Sequence, residues 1–186
     1  MTRNVAVLIG SLRKGSFNRK LAGALINLAP PSLRCQIVEI GQLPLYNPDL
    51  EEGGDAPAAW LAFRQKLKEF DAALFVTPEY NRSVPGALKN ALDVGSRPGG
   101  KSVWNAKPAG VVSASPGALG GFGANHHLRQ SLVFLNMPTL QQPEAYIGRV
   151  ATLLAEDGGI ASEGTRDFLR GFMNAFSAWI ETTAKR

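Results

Sequence analysis

Compact apolar runs alternate along this chain with longer segments in which apolar residues recur at helical spacing. Residues 4–10, 34–40, 72–77, 109–115 and 139–146 read as strands, the third as a continuous apolar run. Between them, residues 18–28, 58–70, 85–94, 125–135 and 162–182 carry the helical period. Asn18 is the expected N-cap of the first helix, and Pro85 falls in the first turn of the third, where a missing N–H costs little. Residues 41–55, rich in Pro, Gly and Asn, read as a long loop. Strand and helix in alternation predict an α/β fold, a three-layer sandwich with a five-stranded parallel sheet between helices.

Length adds one inference. At 186 residues the chain is expected to form a single domain over residues 1–186, large enough to bury a core without disulfides or metals. Cys35 is the lone cysteine, so no intrachain disulfide is available, in keeping with a reducing cytoplasm. The N-terminal apolar run, Val5 to Ile9, is too short for a signal segment or a membrane span. The net charge of +5 is scattered as short pairs such as Arg13-Lys14 and Arg19-Lys20. No basic tract interleaves with aromatics, which argues against a nucleic-acid partner.

In open doubly wound sheets, ligands collect beyond the carboxyl ends of the strands. Three loops are expected there. Gly10-Ser11-Leu12-Arg13-Lys14-Gly15-Ser16-Phe17-Asn18 leads from the first strand into the first helix, whose N-terminus favours a phosphate. Ser11, Arg13, Ser16 and Asn18 supply further donors; read alone, the same segment is also a polar turn capped by Asn18. It is not a Walker A loop, because Ser16 and Phe17 stand where Lys and Ser or Thr belong. Nor is it a dinucleotide fingerprint, because Leu12 replaces the second glycine.

The second loop runs from Pro78 to Asn90. Pro78 stiffens its start, Tyr80 offers an aromatic face, and the backbone of Glu79 to Asn81 suits the hydrogen-bonding edge of a flat heterocycle. Ser83 is placed to cap the helix that follows. Each residue also has a plain alternative: Tyr80 packing on a partner, Glu79 paired with Arg82, Asn81 closing an Asx-turn. The third loop, residues 113–123, carries Ser115, Gly117 and further glycines that let backbone approach a ligand closely. Phosphate loop and ring loop together suggest FMN.

His126-His127 is a poor chelate, since helix neighbours point about 100° apart, and no metal site is expected. Cys35 reads as a buried apolar filler, and the Trp60, Phe63 and Phe70 stripe as core or interface rather than a cofactor box.

The first two motifs, with Ser115 to Gly121, His127-Leu128-Arg129-Gln130 and Val133-Phe134-Leu135, resemble the NADPH-dependent FMN reductase family in its bacterial quinone and chromate reductase branch. The resemblance implies a flavodoxin-like fold with strand order 2-1-3-4-5 and FMN bound between the subunits of a homodimer that can pair into a tetramer. It implies that Ser11, Arg13, Ser16, Phe17 and Asn18 hold the phosphate, that Pro78, Glu79, Tyr80 and Asn81 border the isoalloxazine, and that Ser115 and Gly117 close the site. Phe122 to His126 depart from the pattern, standing where related chromate reductases carry an Arg and a Tyr that help pair subunits. The implied activity is hydride transfer from NADPH or NADH through FMN to quinones or similar small acceptors, chromate, azo compounds and free flavin among them. No catalytic side chain is expected, because the flavin carries the chemistry. The competing reading is a flavodoxin-type electron carrier, which would bind FMN but oxidise little NAD(P)H directly.

Overall fold

The computed structural model of the chain describes residues 1–54, 56–155 and 158–184. Five parallel strands form one sheet in the order β2-β1-β3-β4-β5. They are β1 (Arg3–Ile9), β2 (Leu33–Ile37), β3 (Ala72–Thr77), β4 (Ala109–Ala114) and β5 (Ala145–Ile147). The helices are α1 (Phe17–Leu28), α2 (Pro48–Glu52), α3 (Ala58–Leu67), α4 (Gly86–Gly95), α5 (Phe122–Phe134), α6 (Val150–Leu153) and α7 (Glu163–Ala184). This is the expected α/β, flavodoxin-like three-layer sandwich.

Strand period explains why β1, β3 and β4 read as unbroken apolar runs. Val5, Val7, Ile9, Leu74 and Val76 face one layer with Leu21 and Leu25 of α1 and Phe172 and Phe176 of α7. Their neighbours Ala6, Leu8, Ala73 and Phe75 face the other, with Trp60 of α3, Leu88 of α4 and Leu128 of α5. A central parallel strand is buried on both sides, so it has no polar face to show.

Several boundaries differ from the sequence pattern for identifiable reasons. Within 41–55, Asn47 caps the short helix α2 by accepting from the Asp49 N–H at 3.0 Å, with Pro48 at its start; Asp55 lies outside the described residues. Helix α3 stops at Leu67 rather than Phe70, and the Lys107 ammonium binds the Leu67 and Phe70 carbonyls there. The last strand is shorter and later than expected: only 145–147 pair with β4, while Thr139 forms an isolated bridge to Ala109. Pro138 and Pro143 flank that gap and cannot donate to a ladder. No described helix is long and apolar enough to cross a membrane.

Candidate functional site

Gly10 follows β1 as a glycine because nothing larger fits there. A Cβ at Gly10 would lie 2.9 Å from Thr77 Oγ1 and 3.2 Å from Pro78 Cδ, so the first and second loops leave the sheet in contact. The Arg13 carbonyl accepts the Ser16 N–H at 3.2 Å, and Ser16 Oγ accepts the Arg19 N–H at 3.2 Å. Ser16 is therefore the N-cap of α1, correcting the assignment to Asn18. Asn18 sits instead inside the first turn, buried, donating from Nδ2 to the Ala114 carbonyl at 3.3 Å. Its Oδ1 is buried and accepts no hydrogen bond from the described residues. A buried acceptor left without a donor costs free energy, a cost accepted where a ligand completes the bond.

The loop after β3 is a tight hairpin. Tyr80 and Ser83 exchange backbone hydrogen bonds of 3.1 and 3.0 Å, and Asn81 and Arg82 between them are left-handed, at φ 51° and 64°. Two consecutive left-handed residues make the mirror-image turn that two-residue hairpins favour. Ser83 does not cap α4, as its position suggested; its Oγ meets His127 Nδ1 at 2.8 Å, and Pro85 precedes the helix with no side-chain cap. Glu79 turns its carboxylate to the start of α5, where Oε2 accepts the Ala124 N–H at 3.0 Å, while Oε1 pairs with Arg82 at 3.3 Å. Asn90, which closes the same motif, has a role the sequence reading missed. It holds the neighbouring loop by accepting the Tyr46 N–H and donating to the Leu43 and Pro44 carbonyls.

The loop after β4 is fixed from below by the segment after β5. Ser115 N–H donates to Ile147 O, Val150 N–H to Ser115 O, and Arg149 N–H to Gly117 O. Gly120 is left-handed at φ 61°, and a Cβ there would lie 2.5 Å from the Tyr146 carbonyl carbon. Asn125, the expected start of α5, lies one turn inside a helix that begins at Phe122; fully buried, it binds Ser113 Oγ and the Ala145 carbonyl and accepts from Arg129 Nε.

These three loops meet in a hollow lined by Ser11, Arg13, Ser16, Phe17, Asn18, Pro78, Glu79, Tyr80 and Ser115, with Ala114, Pro116 and Val150. Asn81 and Gly117 are not in its lining: Asn81 forms the hairpin turn, and the Gly117 carbonyl is taken by Arg149 and by Ser115 Oγ. The hollow holds about 100 Å³, against about 410 and 320 Å³ for two hollows beside the end of α5. Chemistry rather than size singles it out: a helix N-terminus, an arginine and three serines converge here as donors, while the buried Asn18 Oδ1 beside them can only accept, and so suits a hydroxyl or N–H of a ligand rather than a phosphate oxygen. That donor set fits a phosphate ester, and Tyr80, 45 % exposed, leaves an aromatic face open above it.

Among the described residues no group of His, Cys, Asp and Glu is arranged to hold a metal ion. The two histidines have other partners. His126 Nε2 meets Tyr146 Oη at 2.8 Å within a cluster that includes Phe122, and burial together with Glu144 pushes the Tyr146 phenol up to about 12.

The model of a family described as NADPH-dependent FMN reductase matches residues 3–152. A quinone reductase of Pseudomonas putida is 60% identical over 178 residues, covering 96% of this chain and 95% of that protein. A 2-hydroxy-1,4-benzoquinone reductase of a Burkholderia species is 46% identical over 180 residues, with 97% of each chain covered. Among solved structures, the flavoenzyme NAD(P)H:(acceptor) oxidoreductase of Paracoccus denitrificans superposes with a TM-score of 0.91 at 44% identity, covering 97% of this chain and 98% of that one.

Proposed function

Because this chain belongs to the NADPH-dependent FMN reductase family, we propose that the hollow at the strand ends is its flavin site and that the residues lining it divide the work between phosphate and ring. The protein is an FMN-dependent NAD(P)H:quinone oxidoreductase. One observation carries the site assignment: the loops after β1, β3 and β4 converge beside the orphaned Asn18 Oδ1.

Ser11, Arg13, Ser16, Phe17 and Asn18 hold the phosphate end, the α1 N-terminus contributing backbone donors and Arg13 a counter-charge. Pro78, Glu79 and Tyr80 border the ring, with Asn81 acting through the turn it forms. Ser115 closes the other side, and Gly117 fixes that loop from behind. When bound, FMN supplies the redox chemistry, taking a hydride from NAD(P)H and passing reducing equivalents to a small acceptor. The chain's own residues orient it: a rigid hairpin keeps one ring face aligned, and hydride transfer requires approach to roughly 3–3.5 Å. No side chain need act as acid or base. A cytoplasmic setting, where reduced nicotinamide is supplied, suits this reading.

Self-association belongs to the same reading. Val133 and Phe134 at the end of α5 are 75% and 89% exposed, beside two hollows that the same helix flanks, which supports pairing of two copies through this face.

The decisive experiment is a spectrum. Protein incubated with FMN should retain it; anaerobic NADPH should bleach the bound flavin, and 1,4-benzoquinone should restore its colour. A protein that takes up no FMN, or whose bound flavin stays oxidised under NADPH, overturns the assignment. Arg13→Ala should weaken FMN binding about tenfold without lowering the melting temperature. Unchanged affinity removes Arg13 from the site.

A further inference from the structure

We propose that the Glu79 carboxylate is a positioning residue, latching the flavin-facing hairpin to helix α5 before any ligand arrives. The inference rests on the flavin-site reading above and assigns a job to a side chain that reading uses only through its backbone.

Three observations converge on the latch. The Glu79 side chain is only 13% exposed, although it stands on a surface loop. Its Oε2 accepts the Ala124 N–H at 3.0 Å, in the first turn of α5, where backbone donors lack partners and a negative charge is favoured. And the second residue of α5, Gly123, lets the carboxylate in. A Cβ at Gly123 would lie 2.9 Å from Glu79 Oε2 and 3.1 Å from the Arg82 carbonyl, so any larger residue would push on both the latch and the turn.

The hairpin needs holding. Asn81 and Arg82 both occupy left-handed backbone, which favours glycine and costs free energy in other residues. The turn is fastened on both sides to the same helix, by Glu79 to Ala124 and by Ser83 to His127. Freed from α5, the Tyr80 to Arg82 backbone would sample other turns, and FMN would have to order it on binding. Pairing with the helix terminus and with Arg82 also occupies the carboxylate, which offsets a negative charge beside a flavin.

The test reads backbone order in the FMN-free protein and affinity separately. In Glu79→Ala, the amides of Tyr80, Ser83 and Ala124 should exchange hydrogen at least about tenfold faster than in the parent, while amides of β1 and β3 keep their rates. FMN affinity should fall by about tenfold. Glu79→Gln keeps an acceptor for the Ala124 N–H and should stay within about threefold of the parent in both readouts. If Glu79→Ala fails to fold, Gly123→Ala poses the same question from the helix side and should loosen the same amides. Parent-like exchange in the latch variants overturns the latch, and so does a Glu79→Gln protein as weak as Glu79→Ala. A parent protein that takes up no FMN overturns the flavin site instead, while the exchange measurement still decides whether Glu79 orders the hairpin.

Discussion

Cys35 lies in edge strand β2, half-buried against the α1 and α7 layer, and burial pushes its thiol up to about 11. A thiol with a raised folded-state value binds its proton more tightly folded than unfolded, so stability should fall as pH rises from about 9 toward that folded value. Reactivity follows the same sign. At pH 8 the folded protein holds roughly a hundredth of the thiolate of an unfolded chain, so native Cys35 should react with an aromatic disulfide at least about a hundredfold more slowly than in urea. Equal rates would mean that the thiol is not shielded. At this scale the sequence was readable wherever residue type alone decides the outcome: Cys35 as a filler, Trp60 and Phe63 as core. It was less readable where two polar residues compete for one place. Ser16 and Asn18 are both good caps, and the choice fell to Ser16 because Asn18 reaches β4, a partner 96 positions away that no local pattern contains. Glu79 is the same case, its acceptor role set by a helix start 45 positions on.

Helix α2 has five residues and no buried side chain of its own, so no apolar periodicity announces it. It is held by one ion pair. Arg64 of α3 grips Glu51 with both terminal nitrogens at 2.9 and 2.5 Å, donates from Nε to the Val94 carbonyl at 2.8 Å, and lies over the Trp60 ring. The two side chains are 7% and 16% exposed, which places the pair among those whose single loss is expensive. Arg64→Met should lower stability by about 2–4 kcal/mol in urea unfolding, because Glu51, largely shielded from water, is left without its partner. Adding Glu51→Leu should recover most of that loss; a double variant no more stable than the single one would show that the cost is packing alone. The long elements needed no such partner to be foreseen: β1, β3 and β4 are buried on both faces and α1 and α7 on one, so burial itself wrote the period. Helix α6 and strand β5, at four and three residues, are shorter than any period that could reveal them.

Alternation of strand and helix predicts a parallel sheet but not which strand lies beside which; the order β2-β1-β3-β4-β5 was available only through resemblance. That order puts the ends of β1, β3 and β4 side by side, which is why loops separated by up to a hundred positions share one hollow. It also leaves α4 and α5 on one outer layer, where burial stops short. Phe134 and Val133 keep 89% and 75% of their surface open at the end of a helix whose inward-facing Leu128 and Leu132 are fully buried. Neighbouring exposed apolar side chains form a patch of the kind that association surfaces use. If two copies pair through a two-fold axis at this face, each places its own Phe134 in the contact, so a charge introduced there appears on both copies at once. Phe134→Glu should therefore convert a species of twice the 19.9 kDa chain mass into one of single mass in analytical ultracentrifugation. The parent's melting temperature should rise with protein concentration and the variant's should not. A Phe134→Glu protein that keeps the doubled mass would move the pairing surface elsewhere on the molecule. Because α5 also carries Ala124 and His127, which fasten the hairpin, comparing FMN affinity in the single-mass variant with the parent measures how far the helix transmits pairing to the site.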